Sequence, residues 1–444
     1  MKYLAKTDPK IYKLIQAERK RQEQTLMMIP SENIVSLAVQ EAVGSCLGNK
    51  YAEGYPKKRY YQGQEVVDQV ELLAQERAKK LFKVEYVNVQ PYSGSPANLA
   101  VYFALVKPKE KIMGLSLSAG GHLTHGANLN ASSVFFTSVS YGVTKTGYID
   151  YDQLEDLALK ERPKVIVAGT TAYPRLLDWK RFAEIAEKSG SYLMADISHI
   201  AGLIVGGVYP SPVEYADIIT STTHKTLRGP RGAIIMVTKK GLLKDPQLDK
   251  KIDKAIIPGL QGGPHLNAIA GIATALKEAS KKSFAQYAKQ IIVNAKQLEV
   301  KLKEFGFNLV TGGTDSHLLL VDLRNFNLLG NTAAELLEKV NIVVNRNAVP
   351  FDPNPPFYPS GIRLGTPGIT SRGMKKPEMS VIAEIIFNVI VLGSKLKNEL
   401  KINDAQERIT GQRSKIIKQA EASLRKYRQK VLDLCRKFPI PKSY

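Results

Sequence analysis

The chain has 444 residues, enough for a large core and two domains. A 44% hydrophobic and 23% charged composition is that of an ordinary globular protein, and no stretch approaches the ~20 apolar residues of a membrane span. Net charge is +22, which suits nucleic acid, an anionic membrane or an acidic partner, and equally a general surface bias. The excess is uneven, since residues 401–444 hold 12 Lys/Arg against four Asp/Glu. Cys46 and Cys435 match no metal or disulfide spacing, and the charged residues 1–24 contain no apolar signal core. A reduced, cytoplasmic protein without a metal site is expected.

Residues 1–26 read as a charged amphipathic helix around Ile11, Leu14 and Ile15 that must lie on another surface. Residues 27–34, MMIPSENI, contain Ser31. Residues 51–61, YAEGYPKKRYY, are dense in aromatic and turn residues and cannot form an ordinary core strand. Taken alone they are an exposed loop or a subunit contact. Ser93-Gly94-Ser95 stands between a strand-like and a helix-like run. Small residues there leave helix N–H groups free for a phosphate, although the same letters serve as a plain cap. Residues 118–126, SAGGHLTHG, pair His122 with His125, but no carboxylate or cysteine accompanies them as a metal ligand would require. An apolar strand at 165–168 runs into Thr171.

The chemistry concentrates in residues 191–232. Tyr192-Leu193-Met194-Ala195 leads into Asp196 and His199, and residues 216–219 lead into Thr222-Thr223-His224-Lys225. Short apolar runs bounded by polar residues suit buried parallel strands. In open α/β sheets, sites gather beyond the strand carboxyl ends. Asp196, His199 and Lys225 are therefore expected to face one crevice. A carboxylate and a lysine so placed are what pyridoxal phosphate needs, one for the ring nitrogen and one for the Schiff base. The pair alone is more often structural.

Beyond the lysine, residues 233–237 form a strand and residues 258–264, PGLQGGP, are too rich in glycine and proline for regular structure. A helix-period stretch at 284–305 leads to a second α/β region with strands near 317–323 and 342–344. Arg363 lies in SGIRLGTP, and helix-period patterns follow at 377–400 and on to 437. The expected organisation is a helical arm (1–26), a large domain (27–270), a smaller domain (271–400) and a basic helical extension (401–444).

Residues 222–232, TTHKTLRGPRG, and 196–202, DISHIAG, resemble the cofactor-lysine and aspartate segments of serine hydroxymethyltransferases. The YAEGYP, GGHLTHG and SGIR segments extend that resemblance, in order, over residues 27–400. It implies the aspartate-aminotransferase fold (type I): an α/β protein with a mostly parallel sheet of the seven-stranded type and a smaller carboxyl-terminal α/β domain. It also implies a pyridoxal-phosphate enzyme that reversibly transfers the serine hydroxymethyl carbon to tetrahydrofolate, giving glycine and 5,10-methylenetetrahydrofolate.

By the same resemblance, Lys225 holds the cofactor, Asp196 meets its ring nitrogen and His122 stacks on the ring. Ser93, Gly94 and Ser95 cradle the phosphate, and Thr171 stands where a serine is usual. His199 sets the ring environment and His224 assists proton movement. Ser31, Tyr61 and Arg363 bind the amino acid, Arg363 as a bidentate partner of its carboxylate. Glu53 is the proton donor and acceptor, and with Tyr60, Leu117, Gly121, Leu123, Asn347 and Phe357 it forms the folate pocket. Tyr51, Gly262 and Gly263 reach the phosphate from a neighbouring subunit, so a homodimer with shared sites is implied. Ala119 departs from the histidine common at its position. The rival readings are a folate-independent aldolase and a basic binding protein acting on nucleic acid through residues 401–444.

Overall fold

A computed structural model describes residues 2–441 and 444. Short, mostly apolar runs build its central sheet: β1 (Tyr86–Asn88), β2 (Lys111–Leu115), β4 (Val165–Gly169), β5 (Tyr192–Asp196), β6 (Ile218–Thr222) and β7 (Ala233–Val237), with the more polar β3 (Thr137–Tyr141) at one edge. Their order is β1-β7-β6-β5-β4-β2-β3. The run from β6 to β3 is parallel, and β7 is antiparallel to both neighbours. Every residue of β4, β6 and β7 is buried, as befits a sheet covered on both faces. Alternation decides the face: Ile166 and Ala168 of β4 join one apolar layer, Val165 and Val167 the other. The expected α/β class with a seven-stranded, mostly parallel sheet is what forms.

The helices that matter for the site are α1 (Pro9–Glu23), α2 (Glu65–Phe82), α3 (Gly94–Leu105), α4 (Leu266–Ala279), α5 (Lys282–Glu304), α6 (Gly330–Lys339), α7 (Lys376–Glu399) and α8 (Thr410–Lys437). Asp8 caps α1 by accepting from the Lys10 and Ile11 amides, yet no residue of α1 is buried. A second, antiparallel sheet joins β8 (Asn308–Leu309), β9 (Leu318–Asp322), β10 (Asn345–Asn347) and β11 (Gly361–Gly365) in the order β8-β9-β11-β10. Helix α5 bridges the two bodies. Its Phe284, Ala288 and Ile291 pack in the first core, and its Ala295, Leu298 and Leu302 in the second.

The second core also recruits distant segments. Leu26–Met27 pairs in parallel with Ile342–Val343, burying Leu26 and Met28 there. Helix α8 adds Ala420, Leu424, Val431 and Cys435, so residues 401–444 contribute a packed face as well as charge. Arg372 ties these pieces together, donating to the carbonyls of Gln22, Glu23, Thr25, Cys435 and Phe438. Those carbonyls lie at the ends of α1 and α8, where helical partners run out. Helix α7 is long and apolar enough to cross a membrane, but its Ile382, Ile385, Ile386, Val389 and Ile390 are buried in this core.

Candidate active site

A cleft of about 490 Å³ opens over the carboxyl ends of β5 and β6. Ser31, Ser93, Gly94, Ser95, Leu117, Gly121, His122, Leu123, Thr171, Asp196, His199, His224, Lys225, Asn347 and Arg363 all line it. The groove of about 900 Å³ along α1 is larger, but its lining offers neither a lysine nor a histidine. Register explains the convergence, since Gly169, Asp196 and Thr220 sit side by side across three parallel strands. Two glycines permit the close approaches. A Cβ on Gly121 falls 1.9 Å from the Leu115 carbonyl oxygen, and one on Gly202 falls 2.3 Å from that of Thr226.

Asp196 is buried and fully partnered. Its Oδ2 accepts from Asn98 Nδ2 at 2.9 Å and from His125 Nε2 at 3.1 Å, while Oδ1 accepts from the Ser198 amide at 3.1 Å. His125 Nδ1 accepts from the His122 amide at 3.2 Å, which leaves the ring proton on Nε2, facing the carboxylate. Asn98 is oriented in turn by Thr220, whose hydroxyl donates to its Oδ1 at 2.8 Å. Burial pushes the Asp196 carboxyl up, but the His125 hydrogen bond and the nearby Lys225 charge hold it well below the usual carboxylate range. The group stays anionic.

Lys225 projects from the loop after β6. Its carbonyl accepts from Asn33 Nδ2 at 2.9 Å and from the Arg228 amide at 3.1 Å. Thr223 closes the loop, donating from its hydroxyl to the Pro230 carbonyl and accepting at its own carbonyl from the Gly229 amide, both at 2.7 Å. Burial pulls the Lys225 amine down to about 8; Asp196 opposes this, and Arg363 and Arg231 reinforce it. A share of the amine is therefore a free nucleophile near neutral pH.

The histidines around it are neutral. Burial lowers His122 to about 4 and His224 and His317 to about 3, and takes His199 well below its usual value. His199 Nδ1 lies 3.2 Å from His317 Nε2. Arg363 remains a cation although burial lowers it to about 10. Its Nε donates to Asn345 Oδ1 at 3.0 Å and another guanidinium nitrogen donates to the Thr171 carbonyl, which aims the fork into the cleft.

An anion seat lies opposite. Ser93 precedes α3 in extended conformation without capping it through its side chain, so the Gly94 and Ser95 amides are free, Pro96 having no N–H. Thr222 Oγ1 and His224 Nδ1 are buried without hydrogen-bond partners among the described residues. A Cβ on Gly94 falls 2.7 Å from Thr222 Cγ2. A lowered amine, an ionised buried carboxylate and an anion seat in one cleft fit the aldehyde, ring nitrogen and phosphate of pyridoxal phosphate.

Tyr51, Glu53, Tyr60, Tyr61, Gly262 and Gly263 do not line the cleft; most of them gather elsewhere on the same chain. Tyr61 Oη accepts from the Glu53 amide at 3.0 Å. A Cβ on Gly263 falls 3.0 Å from the Tyr51 ring, and one on Gly262 falls 3.5 Å from Glu53 Oε1. Arg59 holds this hairpin, donating to the Ala52 and Gly54 carbonyls on either side of Glu53 and pairing with Asp68 and Glu71. Tyr51 and Tyr60 are exposed, as is Phe357, which also lies outside the cleft lining.

The profile of the family described as serine hydroxymethyltransferase matches residues 4–386. The chain belongs to the serine hydroxymethyltransferase family. A relative so named from Acidothermus cellulolyticus is 53% identical over 410 residues, 92% of this chain and 94% of its own. Another from Desulfotalea psychrophila is 49% identical over 441 residues, 99% and 96% of the two chains. Serine hydroxymethyltransferases share the type I fold, depend on pyridoxal phosphate and take tetrahydrofolate as co-substrate.

Asn98, which lines this cleft, and His125, His317 and Asn345, which support its residues from outside the lining, were given no role from the sequence. Asn98 left a signal, as a lone amide one turn into an apolar helix, four residues after Gly94. His125 left one too, three residues after His122, although the carboxylate it serves is 71 positions away. Asn345 and His317 left none, because their partners Arg363 and His199 are joined to them only by the fold.

Proposed function

We propose that this cleft is where the chain carries out the family's reaction, the reversible conversion of serine and tetrahydrofolate to glycine and 5,10-methylenetetrahydrofolate. The observation that carries the reading is Lys225, its amine lowered to about 8, sharing one cleft with ionised Asp196 and the aimed guanidinium of Arg363. Bound at Lys225, pyridoxal phosphate supplies an electron sink for the bond broken at the amino acid's α-carbon. The chain supplies the rest. Lys225 offers the attaching amine, and Asp196 keeps an anionic partner at the ring nitrogen. His122 presents its ring face, His199 sets the ring environment, and Thr171 stands beside Arg363. Ser93, Gly94, Ser95 and His224 surround the anion seat. Arg363 and Ser31 grip the substrate carboxylate, which orients the bond to be cleaved.

The second cluster completes the site from another copy. In a homodimer, Tyr51, Gly262 and Gly263 of one protomer reach the phosphate seat of its partner, and Glu53 moves a proton at the serine hydroxyl oxygen. Tyr61 assists with serine, and Tyr60 joins Leu117, Gly121, Leu123, Asn347 and Phe357 around the pterin. What supports this is their clustering on one chain away from the cleft they must serve. The division at 1–26, 27–270, 271–400 and 401–444 and a cytoplasmic location belong to the same reading, and no nucleic-acid role is assigned to the basic tail. The test is glycine formation from serine by the purified chain. It should require tetrahydrofolate and vanish in Lys225→Ala, while Glu53→Gln should keep bound cofactor and lose transfer. Glycine released at the same rate without folate contradicts the reading and makes the chain an aldolase.

A further inference from the structure

Arg228 stands three residues past Lys225 with φ of +59°, and its guanidinium is buried. Its Nε has no hydrogen-bond partner among the described residues. Aromatic faces surround the charge instead: the guanidinium carbon lies 3.9 Å from the Tyr287 ring centre, 3.7 Å from that of Tyr444 and 5.3 Å from that of Phe284. A buried cation is costly unless offset, and ring faces attract it most strongly where water is excluded. Tyr287 and Phe284 come from α5, but Tyr444 arrives from the far end of the sequence, past α8.

The cage is wired to the lysine. Tyr444 Oη donates to the Ile34 carbonyl at 2.8 Å. The neighbouring Asn33 donates both to Tyr287 Oη at 2.7 Å and to the Lys225 carbonyl at 2.9 Å. The Arg228 amide donates to that same carbonyl at 3.1 Å. The contacts thus close a loop through Tyr444, Ile34, Asn33, Lys225 and Arg228.

We infer that Tyr444 is a positioning residue: its ring caps the Arg228 guanidinium and so fixes the turn from which the Lys225 amine projects. Without the cap, Arg228 seeks water, its left-handed backbone loses its anchor, and the lysine main chain loosens with it. The consequence for cofactor retention rests on the function proposed above; the effect on the turn does not.

The experiment is hydrogen exchange at the Arg228 and Gly229 amides of the full chain, with and without pyridoxal phosphate, together with the cofactor release rate. Tyr444→Ala should speed exchange and release about tenfold. Tyr444→Phe, which keeps the ring, should stay within about twofold of the parent, and Tyr444→Leu, which fills space without a π face, should behave like the alanine variant. In an Arg228→Met background, Tyr444→Ala should add nothing. Parent-like exchange in Tyr444→Ala, equal impairment of the phenylalanine variant, parent-like behaviour of the leucine variant, or an effect that persists beside Arg228→Met would each overturn the inference. A parent chain that binds no pyridoxal phosphate overturns the assignment of Lys225 instead, and the amide measurement still decides the role of Tyr444.

Discussion

A Lys225→Met substitution removes one buried charge and keeps most of the side chain's volume. Burial is the chief reason the amine falls from 10.5 to about 8, with Asp196 opposing and Arg363 and Arg231 assisting. Between those two pH values the unfolded chain binds a proton that the folded chain does not, so folding stability rises with pH across that window. Below it, the folded protein carries the full penalty of a charged amine. At about 1.4 kcal/mol per pH unit, the interval amounts to about 3 kcal/mol. In the chain free of pyridoxal phosphate, the methionine variant should be the more stable protein near neutral pH. Its advantage should shrink by about 3 kcal/mol as the pH approaches 10.5. Asp196 and the histidines that feel the Lys225 charge titrate well below this window, so the change across it isolates Lys225. Urea unfolding of both chains, at one protein concentration and several pH values, measures it. A gap that stays constant across the window would refute the claim that burial sets the lysine's basicity.

Two further outcomes follow from buried partners. Asn98→Ala strips Asp196 of one donor and leaves Thr124 and Thr220 without their shared partner. Unfolding should become easier by about 2–3 kcal/mol, and calorimetric titration should show weaker pyridoxal phosphate binding. Glu407→Ala leaves the buried Lys397 with the neutral Asn327 amide oxygen and the more exposed carboxylate of Asp404, and also unpartners the Thr332 hydroxyl and the Leu329 amide. Breaking such a pair should cost about 3–5 kcal/mol in chemical unfolding.

The parts legible in the sequence are those that local chemistry specifies. Buried parallel strands read as short apolar runs ending in polar residues, so the ends of β5 and β6 and the meeting of Asp196 with Lys225 could be anticipated. The support beneath them could not. Asn98 and His125 reach Asp196 across 98 and 71 positions, and no local pattern carries such pairings. Helix α8 shows a related limit. Its apolar stripe is legible as a face that packs on the protein, and Ile416, Ala420, Leu424 and Val431 are buried; that the last three join the core shared with α7 is set by the fold and not by any local pattern. Arg372, which receives the ends of α1 and α8, carries no signature because its partners are backbone carbonyls.

The proposed site is built from Lys225 of one protomer and Glu53 of its partner, and complementation tests this most directly. Lys225→Ala and Glu53→Gln chains should each be inactive alone. After the two are unfolded and refolded together, half of the dimers are mixed, and each mixed dimer holds one site with both residues intact, so about a quarter of parental transfer activity should return. No recovery from a mixture shown to contain mixed dimers would contradict the shared site and place Glu53 and Lys225 in separate roles.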